Sequence, residues 1–197
     1  MERYPEKIDI MGGWLMILLF IIIFIVLIAG VWGVITYNKF ISLGERVTNG
    51  KAQIATQIES RWDAVTSLIN ATKRYSQHEV ETLESIVEKR VNISENSSVD
   101  ELEKGDTQLN NVVGRLIAIS ENYPDLKASD VYQNTMNSIN EYENNVRHSR
   151  MIYNDVVTRF NRLLKMFPSN LIASIFNFKT REYFQATQSK EEMPAWD

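Results

Sequence analysis

The sequence predicts an all-α protein: a single N-terminal transmembrane helix continuous with a long antiparallel helical bundle of three long helices and one short one. Three observations carry this reading. The twenty-two residues from Trp14 to Ile35 contain no ionisable group, and no Asp, Glu, Lys, Arg or His occurs between Asp9 and Lys39. Beyond that run, apolar residues recur at seven-residue spacing, the period of helices that pack side by side. Helix breakers are rare there, only Gly44, Gly50, Gly105, Gly114, Pro124, Pro168 and Pro194.

Met1 to Asp9 reads as a short polar tail, and residues 10–36 as the membrane span. At about 1.5 Å of rise per residue, Trp14 to Ile35 reaches about 33 Å, enough for a hydrocarbon core of roughly 30 Å. Trp14 at one end, and Trp32 with Tyr37 at the other, are the membrane-interface residues. Their rings join an apolar body to a polar tip, which favours the headgroup region. The run is longer than the apolar core of a signal peptide and no small-x-small cleavage triplet follows it. Zero cysteines exclude a lipoprotein-type anchor and suit a reducing compartment. Arg3 and Lys7 on the short side stand against Lys39, Arg46 and Lys51 on the long side. That bias favours a cell-membrane protein with its N-terminus outside and its bundle cytoplasmic.

Residues 37–178 form the bundle. Gly44 is the one interruption near its start, and a single glycine costs about 1 kcal/mol without stopping a helix. The span should therefore run straight into the first soluble helix. Ile58, Val65, Thr72 and Ile86 share one seven-residue register, and Ile54, Leu68 and Tyr75 the neighbouring one. Counted from Tyr37 to about Asn92, this helix would be about 84 Å long. Asn92 to Asp100 is a loop ending in the N-cap candidates Ser98 and Asp100, with Glu101 and Glu103 in the first turn that follows. In the second helix Leu102, Leu109, Leu116 and Tyr123 are seven apart, flanked by Val112 and Ile119, and Pro124 stops it. Asp125 to Ala128 is a connector, and Ser129 or Asp130 caps the third helix. There Tyr132, Ile139, Val146, Tyr153, Phe160 and Phe167 are each seven apart, with Met136, Val157 and Leu164 on the companion register. Glu143 and Arg150 lie on that companion register too, either as a buried pair that fixes register or with their charges reaching water. Pro168 ends the helix. Ser169 to Phe176 is a short fourth helix whose Leu171, Ile172, Ile175 and Phe176 would cover the bundle end, and residues 179–197 read as a loose polar tail.

Tyr37-Asn38 beyond the span, Glu121-Asn-Tyr123-Pro124-Asp-Leu-Lys-Ala128, Asn161 with Phe167-Pro168-Ser-Asn-Leu-Ile-Ala173, and Phe176-Asn-Phe-Lys-Thr-Arg-Glu-Tyr-Phe184 resemble the LemA family of bacterial membrane-anchored helical proteins. The resemblance implies an N-terminal membrane helix, an outside N-terminus and an antiparallel bundle, in which Asn38, Tyr123, Pro124, Phe167 and Pro168 are structural motif residues. Family members are linked to envelope biology and to intracellular membrane organelles such as magnetosomes. The chain departs from the family at Ser60-Arg-Trp-Asp-Ala-Val-Thr-Ser-Leu68, where the family's Arg-Arg-x-Asp-Leu-Ile-Pro-Asn-Leu has a proline and this chain has Thr66. The helix through Thr66 should be straighter for it.

Little in the sequence suggests chemistry. The net charge is −4, from 21 basic and 25 acidic residues well mixed, so no basic stripe supports a nucleic-acid partner. His78-Glu79-Val-Glu81-Thr82 begins like a zinc-protease helix but has no second histidine four residues on, and His148 stands alone. Glu79, Glu81, Glu84 and Glu88 read as a solvated face. No phosphate-binding glycine loop and no nucleophile with a base beside it occurs. Catalytic, metal and cofactor sites are therefore all expected to be none, and the protein non-enzymatic.

The helix lengths carry a sharper expectation. A second helix of about 36 Å, turning back at Asn92, would stop short of the membrane. Val47, Ile54 and Ile58 would then face water unless a neighbouring subunit covered them. The expected partners are the lipid bilayer and further copies of the chain, as a self-assembling membrane scaffold or envelope-organising factor. The alternative is an adaptor that binds and positions another membrane protein.

Overall fold

The computed structural model describes residues 4–75 and 77–185, with side chains over 13–75 and 81–185. Among the described residues all regular structure is helical: α1 Tyr4–Thr72, α2 Gln77–Glu88, α3 Val99–Asn122, α4 Pro124–Ala128, α5 Asp130–Lys165 and α6 Ser169–Ile175. The chain divides into two compact units, Met1–Leu43 with Phe160–Thr180, and Gly44–Arg159 with Arg181–Asp197.

Helix α1 contains one stretch long and apolar enough to cross a membrane, with a mean hydropathy of 3.3 in its best window and none of that window buried. It begins at Tyr4, inside what reads in sequence as a polar tail. It continues without a break through Gly44, Gly50 and Thr66, whose hydroxyl donates to the Trp62 carbonyl at 2.8 Å.

The expectation of one helix to Asn92 is corrected. α1 ends at Thr72, the Tyr75 N–H closes a turn on the Thr72 carbonyl at 2.9 Å, and α2 starts afresh at Gln77. No glycine or proline marks this break. Beyond it α2 buries Leu83, 1% exposed, which lines a pocket with Ile119 of α3. Helical stability in proteins comes mainly from such packing rather than from propensity.

In the larger unit, Ile54, Ile58, Val65 and Leu68 of α1, Leu102, Leu109 and Leu116 of α3, and Ile139 and Val146 of α5 are almost fully buried. These are the seven-residue series of the sequence. Val47, Ile54 and Ile58, expected to face water, are 5%, 0% and 0% exposed within the single chain. The reason lies in α5, which reaches far enough for Tyr153 to lie 3.5 Å from where a Gly50 Cβ would stand. Gly105, mid-helix in α3, serves a close approach: a Cβ there would stand 2.5 Å from the Ile93 terminal methyl.

The ends of the helices follow local rules. Ser98 caps α3 in a full capping box, accepting from the Glu101 N–H at 3.2 Å while the Glu101 carboxylate accepts from the Ser98 N–H at 2.7 Å. The connector at 124–128 is itself one helical turn, α4, with Pro124 in its first turn, where a missing N–H costs nothing. Ser129 caps α5 by accepting from the Tyr132 N–H at 3.3 Å.

The hydrogen bonds from Ser98 to the Glu101 carboxylate hold its pKa below the ordinary value. A depressed carboxylate stabilises the fold above its unfolded pKa, and that contribution disappears as pH falls through the folded value. Glu101→Gln should therefore lower the melting temperature of the full-length protein at neutral pH and make no difference once pH is below the carboxylate range. Thermal melts of both proteins across pH 3 to 7 in detergent check this expectation.

Candidate functional site

Two side-chain clusters stand out, one in each unit. In the larger, Arg61 of α1 is 1% exposed and its guanidinium reaches two acids on two other helices. Nη1 donates to Asp106 Oδ1 of α3 at 3.2 Å and Nη2 to Glu143 Oε2 of α5 at 2.9 Å. Arg150 Nη2 lies 3.0 Å from Asp106 Oδ2, and Arg147 Nη2 lies 2.9 Å from Glu143 Oε1. Glu143 and Arg150, considered as a possible pair, do not join each other; each completes a pair with a residue from elsewhere. Burial pushes the Arg61 pKa down, and Asp106 and Glu143 partly oppose that by stabilising its charge. The Arg150 guanidinium also stands 5.2 Å from the Phe184 ring centroid, and that of Arg90 stands 5.6 Å from the Trp62 centroid.

Chemically the cluster is an ion-pair network in which Arg61 Nε and Arg150 Nε stay buried without a hydrogen-bond partner. Each carboxylate is shared between two arginines, one at each oxygen. Its work is positional: one arginine demands a carboxylate from α3 and one from α5, which sets the heights of the three helices against one another.

Residues 181–185, expected to be loose, form a strap on the same unit. Asn154 grips Phe184 twice, its Nδ2 donating to the Phe184 carbonyl at 2.9 Å and its Oδ1 accepting from the Phe184 N–H at 3.0 Å. The Phe184 ring is 3% exposed and meets Tyr153 edge-on at 5.0 Å. The Tyr153 hydroxyl donates to the Glu182 carbonyl at 3.1 Å, and burial pushes its pKa up. Residues 186–197 lie outside the described residues.

In the smaller unit an aromatic cluster gathers beside α1. Phe40, fully buried, stacks on Phe178 at 4.7 Å and meets Phe160 edge-on at 5.8 Å. Tyr37 lies 4.6 Å from Phe176. The chain reaches this cluster because α6 ends in a left-handed Asn177, φ 54°. The Phe178 N–H then bonds the Ala173 carbonyl at 3.0 Å and the Asn177 N–H bonds that of Ser174 at 3.3 Å, a Schellman closure with asparagine in the glycine position.

Trp14 is 66% exposed, Trp32 is half-buried, and Tyr37 is half-buried against the aromatic cluster. Asn38 is exposed on α1, Tyr123 closes α3 and precedes α4, and Pro168 precedes α6. Phe167 departs from the expected seam: α5 ends at Lys165, and Phe167 is 78% exposed. Leu171, Ile175 and Phe176, expected to cover a bundle end, are 52%, 73% and 52% exposed, with Ser169 and Ala173 turned inward instead. His78 and Glu79 have side chains outside the described residues, and among the described residues no group of three or more metal-binding side chains converges.

The fold defines an all-helical protein with one N-terminal helix apolar enough for a membrane and a folded part pinned by buried ion pairs. The LemA family pattern matches residues 50–197, and the chain belongs to the LemA family. Relatives include the magnetosome protein MamQ 1 of Paramagnetospirillum magneticum, 26% identical over 82% of this chain, and the magnetosome protein MamQ of Magnetospirillum gryphiswaldense, 24% identical over 82%. The protein LemA of Metamycoplasma hominis is 26% identical over 86% of this chain and 79% of its own length. The chain spans 66% of the length of the MamQ proteins it matches.

Removing Asp106 leaves Arg61 and Arg150 sharing one carboxylate fewer in a buried site, so Asp106→Ala should cost about 3 to 5 kcal/mol. The triple variant Arg61→Met, Asp106→Leu and Arg150→Met removes both arginines that Asp106 serves, while Glu143 keeps Arg147, and should cost clearly less, as chemical denaturation of the full-length proteins would show. Asn154→Ala should free the strap, seen as faster amide exchange at Phe184 with exchange in α3 unchanged.

Proposed function

We propose that this LemA-family chain is a membrane-anchored, non-catalytic organising protein that holds its helical domain at a bilayer surface as an adaptor for another membrane protein. The carrying observation is the fully uncovered apolar stretch of α1, on a helix that continues through Thr72 into the folded domain. A core helix of a water-soluble protein would be covered, and this one is not. The burial of Val47, Ile54 and Ile58 removes the greasy seam that argued for copies packing side by side. What the folded unit offers a partner is its polar surface, while its buried charges are spent on one another. Relatives named as magnetosome proteins fit a role in organising membranes. A cytoplasmic domain with an outside N-terminus is part of this proposal, on the lysine and arginine bias.

The full-length protein in lipid nanodiscs, sized by mass photometry and cross-linked in native membranes, tests the reading. A single copy per disc, with cross-links to one stoichiometric membrane protein, is expected. Regular homo-oligomers would favour the scaffold instead, and extraction of the protein by alkaline carbonate would overturn the anchor itself.

A further inference from the structure

Five large apolar side chains, Met166, Phe167, Leu171, Ile175 and Phe176, are each more than half exposed within eleven residues. They belong to the smaller unit, and so does the apolar run of α1. Ile172 of α6 lies against α1 at Gly33, where a Cβ would stand 3.6 Å from its Cδ1. Gly33 is two residues short of the end of the run at Ile35, which puts α6 level with its last turn. The ring contacts of Tyr37 with Phe176 at 4.6 Å and Phe178 at 5.9 Å fasten the segment there.

The charges around it are one-sided. From Met166 to Phe178 there is no ionisable residue. Across residues 13–43 and 160–180 there is no aspartate or glutamate, while Lys39, Arg162, Lys165 and Lys179 are all exposed. A chain with net charge −4 has thus cleared every acid from these two segments. An exposed apolar patch rimmed by cations, beside the end of a membrane span, is the composition of an element that lies in the interface plane with its apolar face in the acyl boundary and its charges on anionic headgroups.

We infer that Met166 to Phe176 is a second membrane contact, a monotopic wedge that enters one leaflet beside α1 and is held there by Lys39, Arg162, Lys165 and Lys179 on anionic lipid headgroups. The inference rests on the anchored reading above. It gives the exposed Phe167 and Ile175 their occupant, lipid, and makes the protein grip the bilayer at two points on one leaflet.

Because the chain has no native cysteine, single cysteines can report each position. The full-length variants Phe167→Cys, Ile175→Cys, Phe24→Cys and Asn111→Cys are labelled with an environment-sensitive fluorophore. Each is reconstituted into vesicles of phosphatidylcholine with phosphatidylglycerol, and into phosphatidylcholine alone. Positions 167 and 175 are expected to be quenched by lipids spin-labelled near the headgroup, with iodide quenching several-fold weaker than at 111, and position 24 by deeply labelled lipids. Lipid quenching at 167 and 175 is expected to fall without phosphatidylglycerol. Iodide quenching at 167 and 175 equal to that at 111, with 24 protected, would overturn the wedge and leave the anchor standing. Iodide access at 24 as well would overturn both. Unchanged quenching without the anionic lipid would overturn the role given to the four cations.

Discussion

A single guanidinium buried in a helical core sets the terms for the larger unit. Arg61 has 1% of its surface exposed, and such a charge is tolerated only if acids meet it inside the protein. Asp106 and Glu143 come from two different helices, so the requirement is met only when α1, α3 and α5 stand at the right heights. The apolar seams on these helices repeat every seven residues and would pack about as well one heptad displaced. The ion pairs break that degeneracy, as buried polar groups do in coiled coils. Their contribution to specificity exceeds their contribution to stability, the more so for Glu143, whose side chain is 40% exposed and partly screened.

The second constraint is the bilayer. The apolar residues of α1 between Trp14 and Ile35 are left largely uncovered by the protein, which suits a hydrocarbon surrounding. Two regimes of solvent therefore meet on one continuous helix. In the larger unit charges are paired inside and polar faces turn outward. In the smaller unit aromatic rings pack on one another, apolar side chains remain uncovered, and residues 13–43 and 160–180 carry cations but no acid.

Neither regime assembles a reactive centre from the described residues. The titratable groups brought together among them are arginines and lysines with carboxylates.

The helical class, the uncharged span, the seams of α3 and α5 and the cap at Ser98 were all legible in the sequence, because each rests on a local period or a residue's own backbone chemistry. Half of the ion cluster was legible as well, since Glu143 and Arg150 fall on a seam register, and the other half carries the same signal. Arg61 falls on the register of Ile54 and Leu68, and Asp106 on that of Val99 and Val113, so both are charges at core positions. Periodicity shows that a charge is buried, but only the fold shows which acid meets which arginine. The break after Thr72, the burial of Val47, the docking of Phe184 and the exposure of Phe167 were decided by tertiary packing. Each depends on what another, distant segment covers, and neither propensity nor spacing encodes that distance.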